Sequence, residues 1–87
     1  MIHVKFFGHI KTSMGSDGSE VGPDGMTIGE LFVLLRSRSA TEHGHGFTKY
    51  NTLVVVNEEE AFSASAQEDR RLDDGDSVLL VPFSHGG

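Results

Sequence analysis

Leu72-Asp-Asp-Gly-Asp-Ser-Val-Leu-Leu-Val-Pro-Phe-Ser-His-Gly-Gly87 is the stretch on which the fold turns. Asp73-Asp74-Gly75-Asp76 has the composition of a tight turn, and Ser77 to Val81 is a short apolar strand. Pro82 then withholds the N–H that a ladder would require. Ser84 to Gly87 carries nothing apolar to bury, so the chain divides into a domain over residues 1–83 and a flexible C-terminal tail over 84–87. Gly86 and Gly87 have no side chain past Cα. An extended Gly-Gly can therefore thread a channel too narrow for other dipeptides and present a bare α-carboxylate. Four residues reach roughly 13 Å from the body at about 3.3 Å each.

A strand that holds such a tail needs a core behind it, and the rest of the chain supplies one. Ile2, Val4 and Phe6 alternate with His3, Lys5 and Phe7, which predicts a strand whose core face is Ile2/Val4/Phe6. Gly8 and Gly15 punctuate the next segment. The Gly-, Asp- and Ser-rich segment Ser16 to Gly25 surrounds a short strand at Glu20-Val21, so the first two strands read as a hairpin with a long, mobile connection. Thr27-Ile28-Gly29-Glu30 has the spacing of a capping box. Ile28, Leu31, Phe32 and Leu35 come after it as one buried helical stripe, with Arg36 and Arg38 near the end, where cations suit the helix dipole.

Periodicity lapses from Ser39 to Asn51, a surface loop. Thr52 to Val56 is an unbroken β-branched and apolar run, read as a central strand covered on both faces or as one edge of a buried sheet. Glu58 to Arg71 is polar, with Phe62 its only large apolar anchor. The order is strand, weak strand, helix, strand, polar excursion, strand. That is an α+β two-layer domain, and the connection lengths point to a β-grasp: a four- to five-stranded mixed sheet packed on one main helix.

Composition narrows the chemistry. Eighty-seven residues make one domain, without a Cys for a disulfide, a nucleophile or a thiolate ligand. The net charge is −6, and neither Arg36/Arg38 nor Arg70-Arg71 lies among aromatics that could stack bases, which argues against a nucleic-acid partner. The opening Met1-Ile-His-Val-Lys is broken by charge and does not read as a signal peptide. No run approaches the roughly 18 apolar residues of a membrane span, so a cytoplasmic protein is expected. The acidic runs Glu58-Glu59-Glu60 and Asp73-Asp74-Asp76 are expected to bracket the route to the tail, and a partner that reads charge is expected to be basic. His43 and His45, two residues apart, fall short of the three or four ligands zinc takes; Glu42 could be a third, but no metal is expected.

The two chain ends together resemble the ubiquitin-like sulfur carriers and modifiers. These include the molybdopterin synthase small subunit, the thiamine sulfur carrier, the ubiquitin-related modifier of tRNA thiolation and the small archaeal modifiers. The resemblance rests on Met1-Ile-His-Val-Lys-Phe-Phe-Gly, on Thr27-Ile28-Gly29-Glu30-Leu31, on Val56-Asn57 and on Gly75-Asp76, Val78 to Val81 and Gly86-Gly87. It implies that the first and last strands lie side by side and parallel at the sheet's centre. It also implies that an activating enzyme of the ubiquitin-activating type uses ATP to adenylate Gly87. The product then serves as a thiocarboxylate for molybdopterin or tRNA thiolation, or is joined to target protein lysines by isopeptide bonds. The chain would bind no cofactor and would be a substrate and carrier, or a synthase's small subunit beside its large one, and not an enzyme. Pro82-Phe83-Ser84-His85 departs from the two prolines and small residue of the molybdopterin carriers and is closer to the tRNA-thiolation modifiers.

Docking is expected on the outer sheet face beside the tail. If Val78 and Leu80 point inward, Leu79, Val81 and Phe83 point outward, and Phe7 joins them from the neighbouring strand. The alternative is that the Ser39–Asn51 loop covers Leu79 and Val81. His85, two residues before the reacting carboxylate, either pairs with acidic groups of the partner when protonated or serves as a spacer. Two other readings compete with the carrier: a β-grasp interaction module whose Gly-Gly is never activated, and a small metal-binding domain built on His43 and His45.

Overall fold

Alternation at the N-terminus produces the strand it predicts: in β1 (Ile2–Phe6), Ile2, Val4 and Phe6 are buried while His3 and Lys5 are exposed. The computed structural model describes residues 1–39 and 47–83. After β1 come α1 (Gly8–Met14), β2 (Gly18–Val21), α2 (Ile28–Ser37), β3 (Thr52–Val56), β4 (Glu60–Ser63), a 3-10 turn at Ala64–Gln67 and β5 (Ser77–Pro82). The strands form one mixed sheet in the order β2-β1-β5-β3-β4. β1 and β5 are parallel at its centre, with Val4 opposite Val78 and Phe6 opposite Leu80, and the other pairings are antiparallel. This is the expected β-grasp, with five strands and a parallel central pair.

α2 forms as its sequence dictates. Thr27 Oγ1 accepts from the Glu30 N–H at 3.1 Å, Glu30 Oε1 accepts from the Thr27 N–H at 2.8 Å, and Ile28, Leu31, Phe32 and Leu35 are buried. The Thr27 N–H holds the Glu30 carboxyl below the usual carboxylate range.

Four local expectations need correction. The connection between the first two strands contains α1, which the sequence does not announce. This helix has seven residues, no side-chain cap and no acid in its first turn, and Ile10 is its only fully buried large apolar side chain. So short a helix is stabilised by packing more than by propensity. It is held at its ends by Gly8 at φ +56°, where a Cβ would lie 2.7 Å from Pro82 Cγ, and by Gly15 at φ +73°. β3 is neither covered on both faces nor an edge: it lies between β5 and β4, with Thr52, Val54 and Val56 buried and Leu53 and Val55 half-buried. The polar excursion holds the edge strand β4, anchored by Phe62. Pro82 is itself the last residue of β5, opposite Thr52, so the strand runs one residue beyond the expected Val81.

Of the expected loop, residues 40–46 lie outside the described residues. Phe47, just beyond them, is fully buried and meets Phe32 edge-on at 5.9 Å between ring centroids, so this part of the connection joins the helical side of the sheet.

The start of β5 is fixed by Asn57. Its side chain donates to Asp76 Oδ1 at 3.0 Å and accepts from the Ser77 N–H at 2.9 Å, while its backbone N–H donates to the Ser77 carbonyl at 2.7 Å. Asn57 has φ 53°, a left-handed conformation that Asn tolerates better than most residues. The Asn57 amide, with the Asp73 N–H beside it, holds the Asp76 carboxyl below its usual range. Replacing Asn57 with Ala removes the side-chain bonds and leaves a residue poorly suited to that φ. The expected loss is about 2 to 3 kcal/mol, or on the order of 10 °C in Tm. Because a depressed carboxyl stabilises the fold above its unfolded pKa and loses that contribution as pH falls through the folded value, Asn57→Ala should also flatten the acid limb of stability. Thermal unfolding across acid to neutral pH checks both effects.

Candidate docking face and tail root

The outer face of the sheet is ordered by register. Lys5 lies opposite Leu79, Leu79 opposite Val55, and Val55 opposite Ala61, so one cross-strand row runs Lys5–Leu79–Val55–Ala61. The next row toward the tail places Val81 opposite Leu53 and Leu53 opposite Ser63. Leu53, Val55, Leu79 and Val81 are all half-buried, while Val54, Val56, Val78 and Leu80, one residue away in each strand, are 0 to 1 % exposed. The helices and Phe47 cover only the inner face.

Phe7 continues from β1 with extended backbone at φ −127°, so it keeps the alternation and falls on the side opposite Phe6. It is 37 % exposed, Phe83 is 38 % exposed, and the Phe7 N–H donates to the Leu80 carbonyl at 3.1 Å. The sequence-predicted Phe7, Leu79, Val81 and Phe83 therefore lie on one face. Leu53 and Val55 belong with them and were missed. The signal was present in Thr52 to Val56, but an unbroken apolar run hides its period of two.

The root of the tail is held from both sides. The Phe83 N–H donates to the Asn51 carbonyl at 2.9 Å, carrying the β3–β5 ladder one step past Pro82. Asn51 is itself fixed, its Oδ1 accepting from the Thr48 N–H at 2.8 Å and from the Thr52 hydroxyl at 3.1 Å. On the other side Pro82 packs against Gly8. His85, Gly86 and Gly87 lie outside the described residues, as do His43, His45 and Glu42. Among the described residues no group of His, Asp and Glu is placed to hold a metal.

The acidic runs lie away from Phe83, the last described residue before the tail. Glu58 and Glu59 stand in the β3–β4 turn and Asp73 to Asp76 precede β5, at the pole opposite Phe83. β5 separates the two poles by about 17 Å at roughly 3.3 Å per residue. At the acidic pole Asp74 pairs with the Met1 ammonium, which holds the Asp74 carboxyl low.

Among the described residues the sheet is a β-grasp with a half-buried apolar row on its outer face. The pattern of the ThiS family matches residues 4–87, and the chain belongs to that family, within the ubiquitin-like sulfur carriers and modifiers. No curated protein shows significant sequence similarity to it. Among solved structures, a chain of the BexX/CysO complex of Amycolatopsis orientalis superposes with a TM-score of 0.70 at 22 % identity, covering 100 % of both chains. SAMP1 of Haloferax volcanii superposes with a TM-score of 0.69 at 21 % identity, covering 99 % of this chain and 98 % of that one. Urm1 of Trypanosoma brucei gives 0.68 at 23 % identity, with 99 % and 94 % covered. These likenesses establish the shared fold. None of the described helices is long and apolar enough to cross a membrane.

Proposed function

We propose that the chain is a carrier whose C-terminal carboxylate, on Gly87, is activated by an ATP-dependent adenylyltransferase of the ubiquitin-activating type. A carboxylate is a poor electrophile. Attack of its oxygen on the α-phosphorus of ATP expels pyrophosphate and leaves an acyl-adenylate, from which AMP is a good leaving group. A sulfur nucleophile then displaces AMP to give a thiocarboxylate. Alternatively an enzyme thiol forms a thioester that passes to a lysine amine as an isopeptide bond. The chain has no Cys, so the thiol belongs to a partner, and this protein contributes the acyl group and the docking face. It acts as substrate and carrier in the cytoplasm and uses ATP only through that enzyme.

The observation that carries this reading is the family match running through Gly86 and Gly87, behind a strand whose root is held by Asn51 and Gly8. The acceptor is a sulfur pathway, for molybdopterin or for tRNA, or a protein lysine. Intact-mass measurement of the protein purified from its own cell tests this. Exchange of one terminal oxygen for sulfur marks the carrier, and covalent conjugates through Gly87 mark the modifier. A chain that stays unmodified in the cell, and releases no pyrophosphate with activating enzyme and ATP, would leave a β-grasp interaction module instead.

A further inference from the structure

We infer that the groove between β2, β1 and β5 receives an acidic side chain of the activating enzyme, with Lys5 as its counter-ion. This rests on the proposed carrier reading and adds the chemistry by which the outer face is recognised. Three lysines occur in the chain. Lys11 pairs with Asp17 at 3.1 Å and Lys49 with Glu68 at 2.9 Å, whereas Lys5 makes no ion pair among the described residues. Lys5 projects from the outer face, since Val4 and Phe6 on either side of it are buried. Its register neighbour on one side is Gly18, which has no side chain, and on the other Leu79.

A groove of about 430 Å³ lies beside Lys5, with Leu79 and Ser77 on its β5 side and Gly18 on its β2 side, where the strands approach so closely that a Cβ would stand 2.6 Å from the Val4 carbonyl oxygen. Of the two acids on its rim, Asp17 pairs with Lys11 and Glu20 lies 3.5 Å from the His3 ring. A partner that covers Leu79 must therefore also cover an ammonium that no carboxylate among the described residues pairs with. Burying that charge is unfavourable unless the partner supplies the opposite one. Although the chain carries −6 overall, this part of the face selects an acidic and apolar surface, so the basic partner expected from net charge is reversed here.

The test uses the full chain and its adenylyltransferase. Lys5→Gln should weaken binding, measured by calorimetry without ATP, by about tenfold, Lys5→Arg should restore most of it, and Lys49→Gln, whose partner Glu68 lies away from the groove, should leave it unchanged. Acetylation of the complex with an amine-reactive ester, read by mass spectrometry, should spare Lys5 and label Lys11 and Lys49. Wild-type affinity in Lys5→Gln, or a Lys5 that labels as readily in the complex as when free, overturns the inference while leaving carrier function standing. A wild-type chain that neither binds the enzyme nor releases pyrophosphate overturns both.

Discussion

Removal of Gly86 and Gly87 is expected to abolish ATP-dependent pyrophosphate release while leaving the thermal transition of the protein in place. The two halves of this expectation have separate causes. Every buried apolar residue among the described ones lies between Ile2 and Leu80, and the last described backbone contact of β5 is the Phe83 N–H to Asn51. The buried core of the described residues is therefore complete before the glycines are reached in the sequence. Activation, by contrast, requires the carboxylate to reach the α-phosphorus of ATP in line, and effective molarities of about 10⁵ M or more depend on that placement. A chain shortened by two residues falls short by roughly 7 Å at about 3.3 Å per residue. Extending the chain by one Ala after Gly87 should be nearly as damaging, because the side chain enters the channel and the carboxylate moves past its target. Pyrophosphate release with purified enzyme, beside calorimetric unfolding of each variant, separates the effects. Undiminished release by the truncated chain would remove Gly87 from the chemistry.

Legibility in the sequence followed the strength of local signals. β1 and α2 were readable because Ile2/Val4/Phe6 and the capping box at Thr27 each express a period together with a boundary, and the structure repeats both residue by residue. α1 was not, because one buried Ile10 in seven residues defines no stripe and its ends are set by backbone conformation at Gly8 and Gly15. Parallel pairing of β1 with β5 is a contact between chain ends, outside the reach of any local pattern, and came through resemblance alone. Phe47 was hidden for a related reason: its burial depends on Phe32, and no period marks the residues around it. The outer apolar face was half legible. Parity within β5 gave Leu79 and Val81, but Leu53 and Val55 needed the register that sets them opposite Val81 and Leu79. Lys5 read only as the polar half of an alternation; its significance appears once Gly18 is beside it and the other two lysines are paired.

Replacing Val81 by Asp should weaken binding to the activating enzyme by about 2 kcal/mol or more, roughly 30-fold, as for other residues at the centre of an apolar interface. Val81 is half-buried on the outer face between Phe7 and Leu53, so a carboxylate there stays hydrated in the free protein and loses water only in the complex. Circular dichroism and the unfolding temperature should therefore change little. Leu80→Asp is the matched control, because Leu80 is 0 % exposed and packs in the core against the helical layer. A one-residue step along β5 exchanges solvent for core. Leu80→Asp is accordingly expected to unfold the domain, while Val81→Asp keeps the fold and loses the partner. Phe7→Asp, on the strand next to β5, should resemble Val81→Asp. If Val81→Asp instead unfolds the chain, the faces of β5 are exchanged; if it folds and binds with native affinity, the partner docks away from the outer sheet. The first outcome would also be at odds with the antiparallel register of Val81 with Leu53, which places both on the side away from Val54 and Leu80, and the second would free the apolar row beside Lys5 for some other contact.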